Sequence, residues 1–180
     1  GTRNVGVGRD SLAANTTGSY NTAVGSYSLP ANTTGAQNTS VGDVSLHANT
    51  TGINNTAVGH IAQYVGTTGS NNTAVGHRAG RANSTGNDNV AIGHYALDAN
   101  TASHNVGVGN SALGANTTGS QNCAVGSAAL ASNTTGAENT AVGYYAAHAL
   151  TTGTDNTAFG TQALYLSTTG SYNTAIGAYA

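Results

Sequence analysis

His60, His77 and His94 recur at intervals of 17 residues, each directly after a glycine, with Arg78 and Arg81 beside them. Imidazole is a ready metal ligand and changes charge near neutral pH, so three on one period could build a metal or anion site if the period stacks them. The competing reading is a surface ladder of rings, which duplication of a repeat produces without any function. No metal or other cofactor is expected to reside there.

Tyr27, Tyr95, Tyr145 and Tyr179 share a second column, and exposed tyrosines can stack on sugars, although such residues more often pack on turn backbone. The candidate binding residues are therefore His60, His77, His94, Arg78, Tyr27 and Tyr95. Of the six acids, only Glu138 and Asp155 stack one repeat apart. Two carboxylates about 5 Å apart would match a retaining glycosidase pair, but no partner surrounds them, so solvated turn acids are expected. Arg81 and Asp98 also share a column and are expected to pair. Cys123 stands where other copies carry Thr or Val, which suits a small half-buried residue better than a nucleophile. No catalytic residue is assigned and no enzymatic activity is expected.

Eleven copies of the phrase Asn-(Thr/Val/Cys)-(Ala/Gly/Ser)-(Val/Ile/Phe)-Gly must position these side chains, starting at Asn4, Asn21, Asn38, Asn55, Asn72, Asn89, Asn105, Asn122, Asn139, Asn156 and Asn173. The spacing is 17 residues except between Asn89 and Asn105, where it is 16. A period this short lets each unit touch only its neighbours, so residues 1–180 read as one repeat array whose first and last coils are incomplete. Seventeen residues are too few for a helical hairpin or a propeller blade. The expectation is an all-β parallel β-solenoid. Thr22 and Val24, like Val90 and Ile92, lie two apart and so on one face of a strand. Gly25, Gly59, Gly93, Gly126 and Gly160 close the phrase at a bend that a Cβ would obstruct. A Leu column follows five residues after the Val, and Asn-Thr-Thr-Gly supplies a turn. Two short strands and two turns per coil are expected, with the Val and Leu columns inside or at subunit contacts. The shortened coil should keep both strands in register.

The core of such a rod is thin. Each coil offers about one Val-class and one Leu-class side chain, at ~2–3 kcal/mol each, against ~1–2 kcal/mol of backbone entropy per residue. The unbroken small-residue column, including Ala91 and Ala124, therefore suggests close lateral packing of identical chains. A homotrimer is the expected assembly.

Only 6% of residues are charged, with 4 Lys plus Arg in total, which argues against nucleic-acid binding. No apolar run reaches the roughly 18 residues of a membrane span, and no membrane insertion is expected. The Asn-x-Ser/Thr sequons are a by-product of the repeat.

Asn-Thr-Ala-Val-Gly at 21–25, 55–59, 72–76 and 139–143, and Asn-Val-Ala-Ile-Gly at 89–93, resemble the Ser-Val-Ala-Ile-Gly repeats of trimeric autotransporter adhesin heads. With Asn-Thr-Thr-Gly added, the array is similar to the repeats of bacteriophage tail fibres. The resemblance covers the whole chain, although 17-residue coils exceed the usual adhesin repeat. It implies a left-handed parallel β-roll, three chains side by side, in an extracellular setting on a virion tail fibre or a cell surface. It further implies a structural segment supporting attachment, with a host glycan or surface receptor as partner and the rest of a longer fibre around this segment. The alternatives are an ice-binding β-solenoid or a self-assembling extracellular filament. Columns at Thr16, Thr33, Thr50 and Thr67 and at Thr17, Thr34, Thr51 and Thr68 motivate ice binding, but adjacent residues point to opposite sides and leave one outward row.

Overall fold

The computed structural model describes all of residues 1–180. Each phrase forms one three-residue strand: β1 (Val5–Val7), β2 (Thr22–Val24), β3 (Thr39–Val41), β4 (Thr56–Val58), β5 (Thr73–Val75), β6 (Val90–Ile92), β7 (Val106–Val108), β8 (Cys123–Val125), β9 (Thr140–Val142), β10 (Thr157–Phe159) and β11 (Thr174–Ile176). All eleven lie in one parallel sheet in chain order, and there is no helix. This is the parallel β-solenoid that the period implies.

The second strand expected in each coil does not form. After the motif glycine the chain enters a run of turns with left-handed residues, as at Tyr27 (φ 50), Leu29 (φ 52) and Gln37 (φ 59). Repeated reversals of this kind preclude strand dihedrals, yet the amides still pair between coils. Tyr27 N–H donates down the stack to the Arg9 carbonyl at 2.8 Å, and Leu29 N–H donates up to the Ser45 carbonyl at 3.0 Å. Of 113 backbone hydrogen bonds only 20 lie within strands, so the turns hold most of the stack together.

The motif glycines have two reasons to be glycine. Gly59 and Gly160 both adopt φ 134, and Gly25, Gly93 and Gly126 sit within a few degrees of it, where an L side chain is strained. A Cβ on Gly59 would also fall 2.6 Å from the Gly76 carbonyl oxygen of the next coil.

Of the two places expected for the Val column, the interior is ruled out, and the small-residue column expected between chains takes it instead. Ala23, Ala57, Ala91, Ala124 and Ala141 point into the coil and are buried, whereas Val24, Ile92 and Val125 lie outside at 37%, 39% and 37% exposure. Alternation tells which residues share a face but not which face is inside. Space decides it: the interior already holds Leu29, Leu46, Leu97, Leu113 and Leu130 together with a second small column at Ala96, Ala112 and Ala129. A branched side chain from the strand would not fit beside them. The small-residue column is therefore core, and it is not available for packing between chains.

Half of the interior is polar. The motif asparagines form a buried ladder in which Asn21 Nδ2 donates to the Gly35 carbonyl at 2.8 Å, and the Asn38 amide donates to Asn21 Oδ1 at 3.0 Å. The first residue of Asn-Thr-Thr-Gly makes a second ladder. Asn32 Nδ2 donates to Asn15 Oδ1 at 2.8 Å and to the Gly35 carbonyl at 2.9 Å. Every donor so satisfied is one that burial would otherwise penalise by about 1–3 kcal/mol. Sequon residues Asn32, Asn38, Asn49, Asn83, Asn116 and Asn133 are thus interior groups with no access for a glycan.

Stacking continues through the shortened coil, with Val90 opposite Val106 and Ile92 opposite Val108. Thr101 Oγ1 still bonds the next coil, at the Thr117 carbonyl 2.8 Å away, and Asn100 Nδ2 donates to the Ala102 carbonyl at 2.9 Å. Ala102 therefore plays the part of the turn glycine, and the second Thr is the residue dropped.

Candidate functional site

The residues following the motif glycine place their side chains along one edge of every coil, and the stack turns that edge into columns. His60 and His77 stack with ring centroids 5.5 Å apart and planes 18° apart, and His77 and His94 at 5.1 Å and 21°. Tyr95 stands edge-on to His94 at 4.1 Å, and the guanidinium of Arg78 lies 4.5 Å from the centre of the Tyr95 ring.

Asp98 anchors this cluster. It accepts from Arg81 Nε at 2.9 Å and Arg81 Nη2 at 3.2 Å, and from Arg78 Nε and Nη2 at 3.2 Å each. The Asp98 side chain is only 14% exposed, so two forked guanidinium contacts satisfy a largely desolvated carboxylate. The Arg81–Asp98 pair follows the columns as expected. The contribution of Arg78 does not follow from them, because it lies three columns before Asp98 and reaches it only across the turn. Tyr27 is not part of the cluster; it sits under Arg9, whose guanidinium is 5.2 Å from its ring centre.

Electrostatics fit this picture. Desolvation lowers the pKa of His77, and the neighbouring His94, His60 and Arg78 lower it further, with Asp98 opposing. Desolvation also pulls against Arg78, but its hydrogen bond to Asp98 and the charge of Asp98, with help from Tyr95, raise its pKa overall. His60 has its own partner in Asp43, with Nε2 3.6 Å from Oδ2.

The rings of the ladder lie nearly parallel, with centres 5.1 to 5.5 Å apart. No three His, Cys, Asp or Glu side chains converge anywhere in the chain. The ladder is a stack of rings.

An open groove of about 410 Å³ adjoins the cluster, lined by Val44, Ile61, Tyr64, Arg78 and Arg81. Tyr64 is stacked on His47 at 5.0 Å. Sequence reasoning named neither residue as a binding candidate, although both share the column of Arg81 and Asp98. A second aromatic group lies farther along the stack, where Tyr145 meets Tyr144 at 4.4 Å and His148 at 4.7 Å. Desolvation, then Tyr145 and Tyr165, raise the pKa of Tyr144.

The strand face is the other notable surface. Its outward columns run from Val5 and Val7 to Thr174 and Ile176 and contain no charged residue. Columns carrying Arg9, Asp43 and His60 on one side, and Asp88, Glu138 and Asp155 on the other, flank it. At ~4.8 Å per coil and ~3.3 Å per residue it is a strip on the order of 50 Å by 10 Å. Comparison of the chain with protein-family models, curated proteins and solved structures finds no match.

Proposed function

We propose that this chain is a structural segment of an extracellular trimeric fibre, of the phage tail-fibre or surface-adhesin kind, supporting attachment to a host or surface. The observation that carries this reading is the uncharged Thr/Val face. A strip of ~500 Å² that carries no charge, has one wholly apolar column and is bordered by polar flanks has the make-up of an interface. Three copies meeting through this face would cover the Val column and supply the burial that one thin coil lacks. The edge bearing His60, His77, His94, Arg78 and Tyr95 would then face outward, where a host glycan or receptor could reach it.

Sedimentation tests the assembly. Val58→Glu and Val125→Glu place charges on the outer face without touching the coil interior. Each should convert a trimer of the 180-residue chain into folded monomers, because a charge buried at an interface without a partner is costly. A wild-type chain that remains a folded monomer at micromolar concentration removes the reading.

Ice binding stands as a second reading, and one observation favours it. The strand face offers two outward β-branched columns, Thr22, Thr39, Thr56 and Thr73 beside Val24, Val41, Val58 and Val75, where the turn threonines offered one. Thermal hysteresis in a solution of the monomer would favour this reading over the fibre.

A further inference from the structure

The interior is irregular at one place. Gly80 occupies the column filled by leucine in most coils, and a cavity of about 10 Å³ opens there, lined among others by Gln63, Ala74, Gly80, Asn83, Leu97 and Asn100. One level below, Gln63 takes the leucine position and Gly66 takes the position of the ladder asparagine. The second asparagine ladder therefore breaks between Asn49 and Asn83.

Two side-chain oxygens in the cavity wall, Gln63 Oε1 and Asn83 Oδ1, are buried and have no hydrogen-bond partner. Both residues are at least 98% buried, at 1% and 2% exposure. Gln63 spends its amide nitrogen on a long contact to Asn55 Oδ1 at 3.5 Å, and Asn83 donates to the Gly86 carbonyl at 3.1 Å. The amide donors that line the chamber are turned elsewhere: Asn100 Nδ2, which by the ladder pattern would reach Asn83 Oδ1, bonds the Ala102 carbonyl at 2.9 Å. The chamber's volume is close to the ~10–15 Å³ that one water needs, and a water must find two to four polar partners to be held.

We propose that this chamber binds a single structural water that donates one hydrogen to Gln63 Oε1 and the other to Asn83 Oδ1. A neutral molecule with two donors matches two orphaned acceptors in number and in charge. A hard cation does not, because calcium takes six to eight oxygens and magnesium about six. An apolar occupant would leave both acceptors unpaired. Asn49 Oδ1 and Asn133 Oδ1 are orphaned as well, but neither residue lines the chamber. The water thus replaces, at one level of the stack, the bridge that asparagine makes elsewhere.

A high-resolution crystal structure of the 180-residue chain tests this directly, with Gly80→Leu as the paired variant. The column tolerates leucine at this backbone angle, since Leu97 has φ 51 and Gly80 φ 58, and a Cβ on Gly80 meets nothing nearer than Ala74 Cβ at 3.6 Å. The expected result is one density peak within hydrogen-bond distance of both oxygens in the native protein and none in the variant. An empty chamber, or a Gln63 amide turned so that Nε2 bonds Asn83 Oδ1, would overturn the proposal. So would a peak that survives in Gly80→Leu. If the variant does not fold, the native density alone decides.

Discussion

The coils begun by β7 and β8, residues 105–138, and those begun by β4, β5 and β6, residues 55–104, share a backbone and differ in what holds it. In the first region Leu113 and Leu130 fill the core, and Asn133 Nδ2 bonds Asn116 Oδ1 at 2.9 Å. In the second, Gln63 and Gly80 replace two leucines, Gly66 replaces an asparagine, and one turn is a residue short. That weakened interior coincides with the most elaborate exterior: the His60–His77–His94 stack and the Arg78–Arg81–Asp98 brace both cross it. A repeat array can thus support a coil from inside or from outside. Changes in the two regions should have different consequences.

The largest effect is expected in the regular region. Leu130→Ala removes a fully buried side chain and should cost about 2–5 kcal/mol in urea denaturation. The chain contains a natural repair of the same lesion, since Ala147 stands in the leucine column with Leu150 in the asparagine position, both buried. Adding Asn133→Leu to Leu130→Ala should recover at least half of the loss. No recovery would mean that the Ala147/Leu150 coil is held by something other than its core.

In the braced region the sensitive group is outside. Asp98→Asn leaves two guanidinium groups without their carboxylate and should cost about 1–3 kcal/mol, an effect reduced by salt because the arginines are partly exposed. The equivalent position in the regular coil, Ala131, has no such partners. If Asp98→Asn were as neutral as Ala131→Ser, the brace would be ornament and the irregular interior would be stable by itself.

Legibility in the sequence divides along physical lines. The period fixed coil length, strand position and column membership, because stacking copies identical residues over one another; the His ladder and Arg81–Asp98 follow from it. Alternation could not tell inside from outside, and Ala23 lies in the interior instead of between chains because interior width depends on where leucine goes. Left-handed turns were equally hidden. Ile61 (φ 61) and Ser111 (φ 54) share a column with Tyr27 and Arg78, and nothing in Ile, Ser, Tyr and Arg as residue types announces such an angle. Arg78 reaching Asp98, and Tyr64 beside the groove, depend on side-chain directions that only the folded turn sets.

That hidden strain is testable at a third, smaller level. A left-handed angle costs an L residue roughly 1–2 kcal/mol, and a β-branched residue there is an outlier, whereas Asn tolerates it. Ile61→Asn in the braced region should therefore raise stability by about 0.5–1 kcal/mol even after some lost packing. Ser111→Asn, in the same column of the regular region, should change it by less. Thermal unfolding of the two variants compares them directly, and destabilisation by Ile61→Asn would show that its packing in the groove outweighs the strain.

The smallest expected effect is the pH response of the His ladder, which the regular coils lack. Desolvation, His94, His60 and Arg78 hold the pKa of His77 below its ordinary 6.5. Between that lowered value and 6.5 the unfolded chain binds more protons than the folded one, so stability rises with pH across this window. The contribution is complete above 6.5 and is lost as pH falls toward the folded-state pKa. Because the ring is only half-buried, screening keeps the change slight. His77→Gln should flatten it, while Asn110→Gln, two coils up the same edge, should not. A stability that falls equally between pH 7.5 and 5.5 in native protein and His77→Gln would assign the pH response to other groups, and the stacked imidazoles would then be passive members of the outer brace.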